Sequence, residues 1–466
     1  MKLYRYRKVR SALRDIKEGT FYFAPPEELN DPIEGYYKVY WKGDKAAWEG
    51  LFCNYIYSLN QAITLYILNA DTKALFQKTI AKDVHKFDNF QLGKVLSELK
   101  ESFLHDDEIQ KISDFYGDNI TIVSERELCF ILRFIHHKAL ELCIQKGLET
   151  GTIPTDTANS ILNMLTSFKD RSFPFEELEK TKGNDNTRKI IVKTVIDAID
   201  DFHEYQFLKI GFDKKGFFYD HDKPKNESKE IDEKTQKTID ENIQKRNWMA
   251  ITVDYPAMYV KQIIEILYPK SYIACFSPSG TDSAMWGNYA DNHKGICFIY
   301  DTSDNDVLCL TGEERITVEL KPVQYGGDLL ERNFFESLGL LSLPQIKTML
   351  TGTSGISVYY DAYTVNERIW REDYWKTIEL KLYRKTKDWE SEKEIRAVLL
   401  HALHDFSEKE KRKMQFDPSL LKGIIFGINT SEYDKKSVFE ELKKKASLYR
   451  NSNFAVKNCE SILKIQ

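Results

Sequence analysis

No stretch of this sequence stays apolar for the about 18 consecutive residues that a membrane-spanning helix needs, so no membrane contact is expected. The opening residues Met1-Lys-Leu-Tyr-Arg-Tyr-Arg7 lack the apolar segment of a signal peptide. Cysteine is sparse and scattered: the seven residues Cys53, Cys129, Cys143, Cys275, Cys297, Cys309 and Cys459 form no Cys-x-x-Cys pair. That spacing argues against a disulfide framework or a zinc site. Most of them stand in apolar runs such as Leu128-Cys-Phe-Ile-Leu132, where a reduced thiol acts as a small core residue. A cytoplasmic, reducing compartment is therefore expected. Glycine-rich phosphate cradles are missing as well, both Gly-x-Gly-x-x-Gly and the Walker lysine, so any nucleotide site is expected to be of a non-Rossmann kind. Neither sign of charge dominates: 67 Lys and Arg face 72 Asp and Glu, a net charge of −5, which gives no reason to expect a dominant nucleic-acid surface.

What the sequence does hold is enough apolar material for real cores, 42% of its 466 residues, with aromatics at 13%. That length predicts two or three domains. Leu3–Tyr6 reads as a first strand, Ser11–Gly19 as a short helix with a serine cap and a glycine stop, and Thr20–Ala24 as a second strand. Pro25-Pro26 and Asn30-Asp31-Pro32 then break the chain. Helical apolar spacing begins at Trp48, Leu51, Phe52 and Tyr55, and recurs at 86–103, 125–149, 156–168, 188–210 and 233–247. Thr181–Arg188 and Asp220–Lys229 read as polar connectors. Strands return at Ser271–Phe276, Gly295–Tyr300, Ile316–Pro322, Ile395–Leu400 and Ile424–Gly427, with helical stretches near 328–350 and 361–380. An α+β fold follows. Residues 1–45 and 251–430 are expected to form a discontinuous α+β core, 46–250 an inserted helical domain, and 431–466 a serine-capped helix and tail.

Several polar and aromatic clusters could carry chemistry. Arg5 alternates with Tyr4 and Tyr6, so on a strand it faces away from both. A buried Arg there needs an anionic or polar partner; a structural ion pair or an exposed edge is the other reading. Ser277 ends a strand before Pro278-Ser-Gly280 and could present its hydroxyl to a ligand, although serine is common at such ends. No Gly-x-Ser-x-Gly elbow surrounds it. Trp286 and Tyr289 lie on one helical face and could sandwich a flat ring, or pack in the core. His293 has no second His at metal spacing, so no metal is predicted there. The strongest cue is Glu392-x-Glu394-x-Arg396. At a period of two, all three side chains would share one strand face. Two carboxylates so placed repel unless a cation sits between them; a salt-bridged edge is the plain alternative.

These residues carry a resemblance. Leu3–Tyr6, Leu29-Asn30-Asp31-Pro32, Cys275-Phe-Ser277, Met285-Trp-x-x-Tyr-Ala290 and Glu392-x-Glu394-x-Arg396 follow in the order seen in a bacterial domain family of unknown function. The similarity spans about 1–45 and 251–430. That family in turn resembles, more distantly, the ADP-ribosyltransferase superfamily, which implies a split mixed β core with a large helical insert. It also implies NAD as substrate, with no metal. By motif, Arg5 takes the place of the first-strand residue that contacts the NAD ribose, and Ser277 or Tyr289 the nicotinamide-pocket element. Glu394 becomes the catalytic carboxylate and Glu392 its substrate-side companion. Tyr6, Asn30, Asp31, Trp286 and Arg396 complete the implied binding set. The sequence departs from the superfamily in having Arg where many members have His, and in only approximating a Ser-x-Ser element.

The resemblance implies an NAD-consuming ADP-ribosyltransferase or NAD glycohydrolase acting as a toxin or antiphage-defence effector. Its acceptor would be an unknown protein or nucleic acid, and the helical insert would sense a trigger such as a phage protein or recognise a target. Two other readings stand beside it. One is a non-enzymatic nucleotide- or protein-binding sensor. The other is a metal-dependent nuclease using Asp388, Glu392 and Glu394, which the orientation of Lys393 on a strand disfavours.

Overall fold

The segment Ile296–Tyr300 is an uninterrupted apolar run because both of its faces are covered. Ile296, Phe298 and Tyr300 enter one core, while Cys297 and Ile299 enter a second. The structure is a computed structural model that describes residues 1–31, 38–67, 91–165, 173–181, 184–209, 250–302, 306–327, 330–400, 404–445 and 455–458. The helix expected at 233–247, the connector Asp220–Lys229, Pro32 and Cys459 lie outside these residues. The fold is α+β, as the sequence predicts. The chain divides into two compact units: Met1–Lys38, Pro269–Leu330 and Asp373–Gln466 form the first, and Val39–Tyr268 with Glu331–Glu372 the second.

The first unit is built on two sheets. Its principal strands are β1 (Lys2–Arg7), β2 (Thr20–Tyr22), β3 (Ser271–Phe276), β4 (Ile296–Asp301), β5 (Val307–Thr311), β6 (Arg315–Pro322), β7 (Ile395–Leu400), β8 (Lys413–Phe416), β9 (Leu421–Phe426) and β10 (Ala455–Asn458). A four-stranded sheet runs β1-β4-β9-β10, with Arg5 opposite Phe298 and only the β9–β10 pair parallel. A six-stranded antiparallel sheet runs β2-β8-β5-β6-β7-β3. Its two edges nearly meet, because Ala24, just past β2, exchanges backbone hydrogen bonds of 2.9 and 2.7 Å with Ile273 of β3. Tyr4 and Ser277 exchange a second such pair, both 2.8 Å, which ties β1 to the end of β3. The main core lies among Leu3, Phe21, Phe276, Phe298, Phe416 and Ile424.

Local chemistry explains most of these boundaries. The first helix, Val9–Glu18, stops at Gly19, whose φ of 67° is the left-handed conformation that glycine adopts without steric cost. It starts earlier than the sequence predicts: Lys8, not Ser11, precedes it, without a side-chain cap. Ser431 does cap the helix Glu432–Lys444, accepting from the Asp434 N–H. Strands β5 and β8 escape the sequence reading, because Cys309, Thr311 and Gln415 expose one face and leave only a short apolar alternation.

The second unit is helical. Its helix Lys45–Ile67 is apolar nearly all round and is buried along most of its length, as expected for the centre of a bundle. The fully buried Glu49 carboxylate accepts from Thr353 and Ser354 hydroxyls, the Ser354 N–H and Gln110, and so is satisfied by the hairpin and helix around it. Glu127 is also buried, with Tyr116 donating to its Oε1 at 3.2 Å and the Arg188 guanidinium ion-paired to the same oxygen, Nε at 2.9 Å. Among the described residues, no helix is long and apolar enough to cross a membrane.

Candidate active site

Strand β1 places its side chains by simple alternation. Leu3 and Arg5 share the face turned to the main core, and Tyr6 packs edge-on against Trp286 at 5.1 Å in the smaller one. The Arg5 guanidinium, 7% exposed, lies over Phe21 at 5.3 Å and Phe276 at 5.5 Å, and its Nη2 donates to the Tyr22 carbonyl at 3.0 Å. Its Nη1 is buried with no hydrogen-bond partner among the described residues. Burial and the neighbouring Arg7 pull the Arg5 pKa down.

Arg5 lines a cavity of about 220 Å³ that Tyr289, Lys385, Glu392 and Glu394 also line. The stretch around 392 is not the single strand face that the period-two pattern predicts. Lys387–Glu392 is a 3₁₀ helix, Lys393 has a left-handed φ of 45°, and β7 begins only at Ile395. The turn is held by its backbone: the Glu394 N–H donates to the Tyr325 hydroxyl at 2.6 Å, and the Glu394 carbonyl accepts from the Val323 N–H at 2.9 Å. The two carboxylates still converge. Lys385, set beside Tyr325 by a short parallel ladder, donates to Glu392 Oε2 at 2.8 Å and to Glu394 Oε2 at 3.0 Å. The cation that paired carboxylates require is therefore the chain's own ammonium group.

Each member of this triad has further partners. Arg396, fully buried, donates from Nε to Glu394 Oε1 at 2.8 Å and from Nη2 to Oε2 at 3.2 Å, and its Nη1 donates to the Leu382 carbonyl at 2.6 Å. Cys275, opposite Arg396 in the β3–β7 register, feels the Glu394 charge, which with burial pushes its thiol up. Tyr289 donates its hydroxyl to Glu392 Oε1 at 2.7 Å. The Lys385 ammonium lies 4.7 Å from the centre of the Trp389 ring. Burial pushes the Glu394 carboxyl up, against the opposing pull of Lys385. The two carboxylates and Tyr289 hold Lys385 above its ordinary range despite burial, so it stays an ammonium. Burial and the bond to Glu392 raise the Tyr289 phenol, while burial lowers Arg396 to about 9, opposed by Asp31.

The residues singled out by sequence divide cleanly. Arg5, Tyr6, Asn30, Ser277, Tyr289, Glu392 and Glu394 line the cavity. Asp31, Trp286 and Arg396 do not. Trp286 is wholly buried, donates to the Gly280 carbonyl at 3.0 Å and stacks on His293, so it is a packing residue. Asp31 is buried and acts on the site through the Arg396 charge. Ser277 Oγ accepts from the Ser279 N–H at 3.3 Å, a local turn bond. Sequence reasoning missed Lys385 and Cys275. Lys385 belongs to no motif, and its one signal was the need of two nearby carboxylates for a cation. Among the described residues, no group of three or more His, Cys, Asp or Glu side chains is placed to hold a metal ion.

Residues 285–397 match the model of a family described as a protein of unknown function, DUF2971. The DUF2971 match runs from the helix that carries Tyr289 through Lys385, Glu392 and Glu394 to Ala397 in β7. It takes in the cavity residues Met285, Tyr289, Lys385, Glu392 and Glu394 and leaves out Arg5, Asn30 and Ser277. No curated protein and no solved structure matches the chain.

Proposed function

We propose that the first unit binds NAD with one end of the dinucleotide in this cavity and cleaves its nicotinamide–ribose bond, passing ADP-ribose to water or to a macromolecular acceptor. One observation carries the reading: Arg5, whose Nη1 has no hydrogen-bond partner among the described residues, and the Glu392–Glu394 pair line the same cavity, although Arg5 and Glu392 stand 387 positions apart in sequence. An anionic or hydroxyl-rich group satisfies the guanidinium. At about 220 Å³ the cavity falls below the about 300–1,000 Å³ of pockets that enclose whole drug-sized ligands, which suits one end of a dinucleotide.

The chemistry balances with these residues. The glycosidic C–N bond breaks and its electron pair stays with nicotinamide, which loses its positive charge. Positive charge develops on the ribosyl carbon and ring oxygen, where a fixed carboxylate stabilises it. A lone pair of water or of an acceptor hydroxyl forms the new bond, and its proton passes to a carboxylate and then to solvent. In this reading the helical unit senses a trigger or recognises a target, and the protein acts as a toxin or a defence effector.

A second reading rests on a different observation. Both carboxylates are already paired with Lys385, and Glu394 also with Arg396, which suits a pocket that binds a nucleotide without turning it over. Incubating the full chain with NAD, with and without cell extract, and following nicotinamide by chromatography separates the two. Release supports cleavage. Intact NAD recovered from a bound complex supports the sensor, and NAD neither bound nor cleaved sinks both.

A further inference from the structure

We propose that Glu392, and not Glu394, is the carboxylate that meets the substrate; this rests on the NAD-cleaving reading above. Motif order alone points to Glu394, and the hydrogen-bond inventory points the other way. An ionised carboxylate offers about four acceptor directions. On Glu394 three are taken by charged donors: Arg396 Nε at 2.8 Å, Arg396 Nη2 at 3.2 Å and Lys385 Nζ at 3.0 Å. Arg396 is itself fully buried and tied to the Leu382 carbonyl, so it has no room to release its partner. Glu394 also fixes the chain through its own N–H and carbonyl. It is a counter-ion that belongs to the frame.

Glu392 is differently placed. Among the described residues its donors are Tyr289 Oη at 2.7 Å and Lys385 Nζ at 2.8 Å, which leaves about two acceptor directions open on a side chain lining the cavity. Those two donors orient the carboxylate, while the open directions accept from a ribose hydroxyl or from the attacking hydroxyl. In the bond-forming step the acceptor's proton goes to Glu392, and Lys385, held by Glu394, keeps its place. Glu394 is thus a positioning residue that acts through Lys385.

Full-length wild type, Glu392→Gln and Glu394→Gln would be compared by nicotinamide release, by affinity for a carbocyclic NAD analogue that resists cleavage, and by thermal melting. Glu392→Gln is expected to lose about 100-fold or more in turnover, with analogue affinity within about three-fold and the melting temperature kept. Glu394→Gln is expected to melt several degrees lower and to lose less turnover than Glu392→Gln, since it removes the carboxylate charge that the buried Arg396 and Lys385 share. Wild-type turnover retained by Glu392→Gln overturns the assignment, whether or not Glu394→Gln folds. So does a Glu394→Gln protein that melts like wild type yet is the more inactive of the two. Wild type that neither releases nicotinamide nor binds the analogue overturns the NAD reading itself, and the assignment with it.

Discussion

The Tyr289 hydroxyl donates to the Glu392 carboxylate across 2.7 Å, joining a helix to a 3₁₀ turn 103 residues away in sequence. The bond is half-buried at the wall of the cavity, and with Lys385 it sets the direction of the Glu392 carboxylate. Tyr289→Phe keeps the ring and removes the donor. A hydrogen bond to a charged group contributes about 1.5–3 kcal/mol, so nicotinamide release is expected to fall about ten-fold or more while NAD affinity changes little. Steady-state kinetics on the variant, with KM and kcat taken separately, checks this.

Arg5 is held at a cost to the protein. Its charge is buried, and Nη1 has no hydrogen-bond partner among the described residues. Arg5→Met fills the same volume without the charge, so the melting temperature of the free protein is expected to hold or rise. NAD affinity is expected to drop by about 30-fold or more, the loss of a charge-assisted contact. Calorimetric titration beside a thermal melt reads both, and a variant that melts lower yet binds as well as wild type would show that Arg5 serves only the fold.

Trp286 separates packing from recognition. It is fully buried between Tyr6 and His293 and does not line the cavity. Trp286→Phe removes the bond to the Gly280 carbonyl and leaves a void, for a loss of about 1–3 kcal/mol in stability. Ligand affinity is expected to stay at the wild-type level. A drop in affinity without a drop in stability would return Trp286 to the binding site.

The helical unit carries its own pH signature. Burial raises Glu127 from 4.5 to about 7, outweighing the opposing charge of Arg188 and the hydrogen bond from Tyr116. A carboxyl whose folded pKa lies above its unfolded one binds more protons in the folded state. Its stabilisation is complete below about pH 4.5 and is lost as pH rises to about 7. The difference, 7 − 4.5, corresponds to about 3 kcal/mol. Melting temperature measured from pH 5 to 8 should fall less steeply for Glu127→Gln than for wild type, and the two curves should run parallel above pH 7.

Strand positions were legible where one residue type repeated on a simple period. Ser271–Phe276 and Ile395–Leu400 stand where their β-branched and aromatic runs place them, and Gly19 ends its helix because the left-handed turn there suits glycine. The alternation of Leu3 and Arg5 against Tyr4 and Tyr6 also survives folding, since a strand leaves its side chains no other choice. Glu392-x-Glu394-x-Arg396 did not keep its period. Lys393 adopts φ 45° because the Tyr325 hydroxyl and the Val323 N–H hold the backbone on either side of Glu394, and neither partner is local.

The sequence by itself determined the residue types of the site, the handful of strands that carry them and the requirement that two close carboxylates share a cation. Those follow from propensity, period and Coulomb's law, all of which act on neighbours along the chain. Only the tertiary structure decided that the cation is Lys385, that Arg396 faces Glu394 rather than the cavity, that Trp286 packs in a core, and that Glu331–Glu372 belongs to the helical unit. Those pairings are made by β-ladders and buried side chains between segments up to hundreds of residues apart. The free energy of burying a charge is set by whatever the fold brings beside it, which no local pattern records.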